Sequence, residues 1–355
     1  MWTNKNLILT IFISLLILSS LKANQNVLNF SSVEKISFNT HQFQIVGNLY
    51  LPKSTAPYAL VIWIHGSGPD LRTSKFPGTA FINTFLDNGF AYFRYDKPGS
   101  GDSKGQFTDS LLFQERAQIV SAAVDLLKKR PDIDSTRIGL VGSSQAGYVI
   151  PIVLSTRNDI AFMIGLSLPA ETGHEQWAYL LKMQLIYEGY SKEKAEEFRR
   201  MYLRLIRSAN YQEFLETIRY FENNPVHISS LNGYDENFAK SLHDWWPLDW
   251  TKAQSFDPME LMKGVKIPAL IVYGVKDTQV DPHQGADAYK NVFRAAGNPF
   301  YEVISIPDAD HNMFLAMTGS LKEQKERNHS ELSPVLVENV RKWLTKLKHH
   351  LDNMD

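Results

Sequence analysis

The chain has 355 residues, of which 44% are hydrophobic and 12% aromatic, a composition that supports a sizeable core and excludes a largely disordered protein. Its formal net charge of −1 gives no basic surface of the kind that binds nucleic acid. The absence of cysteine excludes disulfides, thiolate metal sites and lipid attachment through cysteine.

The N-terminal segment, residues 1–23, has the pattern of a secretory signal peptide. One lysine precedes an apolar run at 7–18, and small residues follow it up to Ala23. The run is short for a membrane span, so a retained anchor and a buried helix are the weaker alternatives. We expect export to a bacterial periplasm or to the medium, without stable membrane insertion once the signal is removed.

The segments that follow alternate between short apolar runs and helical patterns. An antiparallel edge hairpin is predicted at 33–39 and 43–52, where apolar and polar residues alternate. Nearly continuous apolar runs predict strands that are buried on both faces. These runs lie at 59–65, 90–96, 137–143 and 161–169, with helices between them at 78–88, 113–129 and 145–156. The repetition predicts an α/β fold with a mostly parallel, doubly wound sheet.

The pattern changes after Pro169. Residues 171–262 contain helical stripes and no convincing strand, and Ser191 is a suitable N-cap for one of the helices. Strands return at 267–274 and 300–307, before a last helix at 334–348. We therefore predict one α/β domain with a helical cap or lid inserted between strands 6 and 7. Its predicted parts are the signal peptide 1–23, the core segments 24–170 and 263–355, and the cap 171–262.

Two adjacent serines stand in the segment RIGLVGSSQAG, residues 137–147. A nucleophilic serine needs a sharp turn from strand to helix, and the crowded backbone of such a turn requires small flanking residues. Ser144 meets this requirement better than Ser143, because Gly142 precedes it by two residues and Ala146 follows it by two. The alternative is a small-residue turn that only packs the helix against the strand.

The segment HGSGP, residues 65–69, ends a predicted strand. The backbone N–H of Ser67, together with that of Gln145, would form the oxyanion hole that acyl transfer needs. His65 is a candidate general base, although a histidine at a strand end more often orients its loop by hydrogen bonds. His65 and Gly66 are also candidate contacts of the substrate pocket.

Two later loops offer an acid and a base. Asp277 follows a strand and is a candidate to contact a histidine ring, whereas Asp281 precedes Pro282 and better fits a helix N-cap. Asp281 remains the alternative acid. His311, after the last strand, would act as general base toward Ser144 and then as general acid toward the leaving group.

A metal site is the alternative interpretation of the last loop. Asp308, Asp310 and His311, joined by His283, are candidate ligands, but no helical H-x-x-x-H spacing supports them. We expect neither a metal nor an organic cofactor.

The glycine-rich segment DKPGSGDS, residues 96–103, lacks the Gly-Lys-Ser/Thr ending of a phosphate loop. We predict a structural loop at the floor of the active site.

Together these segments resemble the α/β-hydrolase superfamily, in particular an exported esterase-like and serine-aminopeptidase-like branch related to dienelactone hydrolases. The matching motifs are HGSGP, YDKPGSGDS, RIGLVGSSQAG, GVKDTQVDP and DADHNMF, and the resemblance covers roughly residues 33–170 and 263–350. Their candidate catalytic residues follow the order Ser, Asp, His that is typical of this superfamily.

The resemblance implies Ser144 as nucleophile, Asp277 as acid and His311 as base. The chain departs from the family at Ala146, where glycine is usual, and in GPDLRTS, residues 68–74, a loop that bears on substrate contacts. Neither departure removes a catalytic group.

The resulting hypothesis is a serine hydrolase that cleaves a small carboxylic ester or thioester through an acyl-enzyme. A peptidase that removes short N-terminal residues is one alternative, and a catalytically silent hydrolase fold that serves as a binding module is another. In the cap, HDWWPLDW (243–250) offers Trp245 and Trp246 as pocket residues, although anchoring of the cap is the simpler interpretation.

Overall fold

The computed structural model describes residues 27–108, 111–228, 243, 246–327 and 331–353. The predicted signal peptide, residues 1–23, and the candidate pocket residue Trp245 lie outside these ranges. None of the helices within the described ranges has the length and the apolar character that a membrane span requires.

Eight strands in the described part of the chain form one sheet. They are β1 (Ser32–Thr40), β2 (Phe43–Leu51), β3 (Tyr58–Ile64), β4 (Phe90–Tyr95), β5 (Ile133–Ser143), β6 (Phe162–Leu166), β7 (Ala269–Gly274) and β8 (Tyr301–Ile306). Their order across the sheet is β1-β2-β4-β3-β5-β6-β7-β8. β1 and β2 form an antiparallel hairpin, β2 pairs antiparallel with β4, and the remaining neighbours are parallel. The predicted edge hairpin and mostly parallel sheet are confirmed.

Helices cover both faces of the sheet, as the prediction of a doubly wound fold requires. Five of them form the two layers: α1 (Thr79–Leu86), α2 (Leu112–Leu127), α3 (Ala146–Thr156), α8 (Pro282–Ala296) and α10 (Pro334–Asp352). Apolar residues of α2, α3 and α8 pack in one core cluster, and those of α1 and α10 pack in the cluster on the other face.

Burial explains the sequence patterns of the strands. Every residue of β4, β6 and β7 is buried, so these strands are continuous apolar runs, whereas β1 alternates between exposed and half-buried residues as an edge strand does. Two strand boundaries differ from the prediction by three residues or more, and the last helix ends four residues later than predicted, at Asp352. β5 begins earlier, at Ile133, and β6 ends at Leu166 because Ser167 has a φ of +48°, outside the extended region.

Between β6 and β7 the described chain is helical, which confirms the predicted insertion point. The insert contains α4 (Gly173–Tyr187), α5 (Lys192–Ile206), α6 (Tyr211–Asn223), the 3₁₀-helix Leu248–Ser255 and α7 (Pro258–Met262), and α9 (Leu321–Glu326) follows β8. Side chains of α4, α5 and α6 enclose an apolar cluster of their own, which includes Leu181, Phe198 and Ile218. Ser191 caps α5 as predicted, because its hydroxyl accepts the N–H of Lys194 at 3.1 Å.

Candidate active site

Ser144 occupies the sharp turn between β5 and α3. Its φ is +51°, a left-handed value that is uncommon for a residue with a Cβ and is typical of functional turns. The Ser144 N–H donates to the Leu166 carbonyl at 2.9 Å, and the Gly147 N–H donates to the Ser144 carbonyl at 2.8 Å. These hydrogen bonds hold the serine half-exposed at the carboxyl ends of the parallel strands.

Close packing explains the small residues around this turn. A Cβ on Gly142 would lie 2.5 Å from the Cβ of Ala146 and 2.9 Å from the Ile64 carbonyl oxygen. A Cβ on Gly147 would lie 2.8 Å from a side-chain carbon of Pro169. The buried methyl group of Ala146 fits into the turn because residue 142 is a glycine, so this departure from the family pattern is accommodated.

The loops after β7 and β8 bring an acid and a histidine together. The distance between His311 Nδ1 and Asp277 Oδ2 is 2.8 Å, and both side chains are buried. The other carboxylate oxygen, Oδ1 of Asp277, accepts the N–H groups of Gln279 at 2.8 Å and Val280 at 2.9 Å. The carboxylate is therefore fixed by the backbone of its own loop and in turn orients the imidazole.

The environment of His311 favours the protonated ring. Burial lowers the pKa of His311, but the charge of Asp277, its hydrogen bond and the charge of Asp310 outweigh burial and raise the pKa above its ordinary value of 6.5. Because Nδ1 faces Asp277, Nε2 is the ring nitrogen that is left to exchange a proton with a reactant.

Ser144 and His311 line one cavity of about 350 Å³, which we call the outer cavity. Gly66, Ser67, Phe76 and Phe314 are also among its lining residues. The structure thus brings the predicted serine and histidine to one site, with Asp277 joined to them through His311.

A second cavity of about 400 Å³ also includes Ser144 and lies under the helical insert; we call it the inner cavity. The core contributes Ser67, Gln145, Tyr148, Pro169 and Val280 to its wall, and the insert contributes His174, Gln176, Trp177, Leu180, Tyr202 and Gln254. Its wall is therefore apolar and aromatic, with several side-chain amides.

Two backbone donors adjoin the serine. Ser67 and Gln145 line the inner cavity beside Ser144, and their N–H groups donate no hydrogen bond within the described part of the chain. Gly66 lies directly against the serine, since a Cβ on this glycine would be 3.3 Å from the Cβ of Ser144. Both N–H groups predicted as oxyanion donors are thus open and close to the turn that carries Ser144.

His65 is placed differently from the prediction of a pocket contact. Its ring is fully buried, packs edge-on against Tyr95 with the ring centroids 4.8 Å apart, and lines neither cavity. Burial, together with nearby lysine and arginine charges, keeps its pKa well below 6.5. The end of β3 directs this ring into the protein interior, whereas Gly66 does line the outer cavity.

Trp246 also differs from the pocket prediction. Its ring packs against Tyr211 and Phe214, at centroid distances of 5.7 and 5.6 Å, in the cluster that stabilises the insert. The tryptophan that lines the inner cavity is Trp177 of α4, which was not among the predicted pocket residues. The sequence feature that could have identified Trp177 as a pocket residue is its position in the first helix after Pro169.

Asp281 serves as the N-cap of α8. Its carboxylate accepts the N–H groups of His283 at 3.0 Å and Gln284 at 3.1 Å, which confirms the capping interpretation. This carboxylate is therefore engaged in holding a helix terminus.

The candidate metal ligands of the last loop have other partners or surroundings. Asp310 accepts the N–H of Asn312 and pairs with Arg327 at 2.9 Å, while Asp308 and His283 are exposed. Across the described ranges, no group of three or more histidine, aspartate and glutamate side chains is arranged to hold a metal ion.

Lys97, in the loop after β4, contacts the segment that carries Ser67. Its Nζ donates to the carbonyl oxygens of Gly66 at 2.7 Å and Gly68 at 2.6 Å. Burial and the neighbouring charge of Arg116 lower the pKa of Lys97 to about 6. A neutral amine still has two N–H bonds, one for each carbonyl.

Arg116 of α2 is a second buried basic side chain close to the Ser67 segment. Its guanidinium donates to the backbone carbonyl of His65 through Nη2 and to the side-chain oxygen of Gln145 through Nη1. Burial lowers its pKa to about 10, so it keeps its charge at neutral pH. No sequence motif pointed to either of these basic residues, although Lys97, at the end of β4, lies at the same sheet edge as Ser144.

Comparison with known proteins places these features in a family. A family model described as X-Pro dipeptidyl-peptidase (S15 family) matches residues 42–311. The quorum-quenching protein AidA of Acinetobacter baumannii is 25% identical over 129 residues, which are 36% of this chain and 41% of AidA. The esterase EstD of Thermotoga maritima is 20% identical over 309 residues, which are 84% of this chain and 65% of EstD. The aligned region is thus shorter than two thirds of either relative.

Solved structures show the fold. The esterase Pf2001 of Pyrococcus furiosus superposes with a TM-score of 0.54 at 16% identity, over 90% of this chain and 95% of that chain. This likeness and the strand order confirm the predicted α/β-hydrolase fold. Since the family model spans most of the sequence, this chain belongs to the X-Pro dipeptidyl-peptidase (S15) family of α/β-fold hydrolases.

Proposed function

We propose that this protein is a serine hydrolase whose catalytic triad is Ser144, His311 and Asp277. The observation that carries the proposal is the 2.8 Å hydrogen bond between Asp277 and His311, which lines the same cavity as a serine held in a left-handed turn. A nucleophile, a base and a group that orients the base are the three parts that acyl transfer from a serine requires.

The proposed reaction has two halves. His311 Nε2 removes the proton of Ser144 Oγ as this oxygen attacks the substrate carbonyl carbon, and the N–H groups of Ser67 and Gln145 receive the developing oxyanion. The tetrahedral intermediate then expels the leaving group, which takes the proton from His311. In the second half, His311 removes a proton from water, water attacks the acyl-enzyme, and the acid is released while Ser144 is reprotonated.

A carboxylic ester or thioester is the proposed substrate. The apolar and aromatic wall of the inner cavity suits an uncharged acyl group, and its amides offer hydrogen bonds. Burial lowers the pKa of His174 in this wall to about 4, and burial raises the pKa of nearby Glu171 to about 8, so both are predominantly neutral near pH 7. EstD and Pf2001 are esterases by name, which supports the same substrate class.

A short-peptide hydrolase is the second candidate function, and the family match favours it because the family is described as X-Pro dipeptidyl-peptidase. Rates on p-nitrophenyl esters of increasing acyl length, compared with rates on aminoacyl and X-Pro p-nitroanilides, separate the two. A serine peptidase also hydrolyses the more reactive esters, so the p-nitroanilides decide between the two. We expect hydrolysis of the esters and no measurable release from the p-nitroanilides, and turnover of an aminoacyl or X-Pro p-nitroanilide would favour the peptidase.

Covalent labelling tests the proposed triad. A serine-reactive organophosphonate should label the wild-type protein at Ser144, as located by mass spectrometry of the digested protein. Ser144→Ala should abolish labelling and ester hydrolysis, while its circular dichroism spectrum stays that of the wild type. The control variant Ser143→Ala should retain both labelling and ester hydrolysis. Labelling that persists in Ser144→Ala would contradict the assignment. A wild-type protein that is folded but neither labelled nor active would instead favour a binding module.

We also propose that residues 1–23 direct export of the chain. Fractionation of expressing cells and N-terminal sequencing of the mature protein test this. Retention in the cytoplasm with an intact N-terminus would contradict it.

A further inference from the structure

We propose that Lys97, assisted by Arg116, is a positioning residue that orients the Ser67 N–H toward the oxyanion. This inference rests on the serine hydrolase proposed above and adds a device that holds its oxyanion hole.

The direction of the Ser67 N–H follows from peptide geometry. The peptide bond between Gly66 and Ser67 is trans, since each cis bond in the described chain precedes a proline. In a planar trans peptide the C=O and the following N–H point in opposite directions. Because Lys97 binds the Gly66 carbonyl from one side, the Ser67 N–H is directed to the other side. Ser67 lines both cavities together with Ser144, and its N–H donates no hydrogen bond within the described residues, so the N–H is placed to face the site that Ser144 lines.

Packing leaves the Gly68 side of this loop unconstrained. Gly68 has a φ of +70°, and a Cβ placed on it would meet no atom within 4 Å. Glycines on both sides of Ser67 give the segment wide conformational freedom, which an oxyanion donor must not have during catalysis. The two hydrogen bonds from Lys97, to Gly66 and to Gly68, hold the residues on either side of the donor.

Arg116 links the two donors to each other. Its guanidinium binds the His65 carbonyl, just before the segment that carries Ser67, and also the side chain of Gln145, which supplies the second N–H. A single buried group therefore sets the spacing between the two halves of the oxyanion hole. The planar, forked guanidinium is suited to holding two acceptors in a fixed geometry.

Burying the side chains of Lys97 and Arg116 costs free energy, which indicates that their hydrogen bonds have a role. The side chains of Lys97 and Arg116 lie in the interior, and the bonds described above lead to the oxyanion segments. Desolvating an amine and a guanidinium costs free energy that an apolar side chain of the same length would not incur. A role in placing the donors accounts for their presence below the site.

Lys97→Met tests the inference, because methionine keeps most of the length of lysine and removes its donors. The expected result is a fall in kcat of about 10–100-fold, with KM within about threefold of the wild type, since the oxyanion donor acts mainly in the transition state. A trifluoromethyl ketone forms a hemiketal with Ser144 Oγ and places a negative oxygen in the oxyanion hole. The affinity for this inhibitor should fall by the same factor as kcat/KM.

Asn298 provides a matched control at the opposite end of the sheet. Its buried side-chain amide also donates to two carbonyls two residues apart, those of Val265 at 3.3 Å and Ile267 at 2.9 Å. Asn298→Leu should lower the melting temperature while kcat and the affinity for the trifluoromethyl ketone stay within about twofold of the wild type.

The outcomes separate the inference from the proposed function. A folded Lys97→Met protein with wild-type kcat, or with KM and kcat both changed as in a general loss of structure, overturns the role of Lys97. A wild-type protein that the organophosphonate does not label overturns the proposed function itself. If Lys97→Met does not fold, Arg116→Lys is measured instead. Lysine keeps the positive charge but lacks the planar guanidinium that binds two acceptors at once. It should lower kcat at nearly constant KM, and an unchanged kcat overturns the inference.

Discussion

His311 and Asp277 are 34 residues apart in the sequence, and their side chains meet at 2.8 Å between Nδ1 and Oδ2. The contact depends on β7 and β8, neighbouring parallel strands whose carboxyl ends bring their two following loops together. The second oxygen of Asp277 is held by two backbone N–H groups. The carboxylate thus fixes the orientation of the imidazole and leaves Nε2 as the ring nitrogen that is available to a reactant.

Asp277→Asn should lower kcat by a factor on the order of 10³–10⁴, because an amide cannot stabilise the imidazolium or hold the correct tautomer. The fold should persist, since the asparagine oxygen still accepts the backbone N–H groups of Gln279 and Val280. Steady-state kinetics with a p-nitrophenyl ester measures the change. Asp281→Asn, at the cap of α8, is the control and should retain kcat within about threefold, with a modest loss of stability. Equal losses in the two variants would contradict the assignment of the acid.

The pH dependence of kcat/KM should report His311. The general base must be neutral, and the environment raises the pKa of His311 above 6.5, so activity should already fall as the pH drops through a value above 6.5. Removing the charge of Asp277 in Asp277→Asn takes away the main influence that raises this pKa, and the midpoint of the residual activity should move to lower pH. A wild-type profile that stays flat down to pH 5 would be incompatible with a histidine base.

Gly142→Ala should destabilise the turn between β5 and α3 that carries Ser144. The added methyl would lie 2.5 Å from the Cβ of Ala146 and 2.9 Å from a backbone oxygen, so strand or helix must shift. The expected loss is about 1–3 kcal/mol in the free energy of unfolding, measured with urea, together with a loss of activity as Ser144 moves. Ala146→Gly is the comparison and should cost no more than about 1 kcal/mol, since it only removes a methyl at the first residue of α3. Wild-type stability in Gly142→Ala would contradict this account of the turn.

Two tryptophans of the insert should respond differently to truncation. Trp246→Ala removes an aromatic group that packs on Tyr211 and Phe214, and should lower the free energy of unfolding by about 2–3 kcal/mol with little change in ester selectivity. Trp177→Ala removes a wall of the inner cavity and should change the order of kcat/KM values among esters of different acyl length. Comparing the two variants across one ester series checks this, and the reverse pattern would show that Trp246 contacts the substrate.

Local patterns were sufficient to predict most of the fold. Continuous apolar runs marked the strands buried on both faces, alternation marked the edge hairpin, and the loss of strand patterns after Pro169 marked the helical insert. Boundaries were less accurate where one residue decides them. Ser167 ends β6 through its positive φ, and periodicity carries no information about that angle.

The sequence by itself determined the chemical candidates: a serine among small residues, an aspartate and a histidine after later strands, and the capping role of Asp281. These follow from short-range rules, because a turn or a cap is satisfied within a few residues of the chain. Only the tertiary structure decided which side chains face the site. It directs His65 into the interior, places Trp177 rather than Trp246 at the inner cavity, and places Lys97 below the Ser67 segment. Side-chain direction and contacts between distant segments depend on how the layers pack, and local periodicity does not encode that packing.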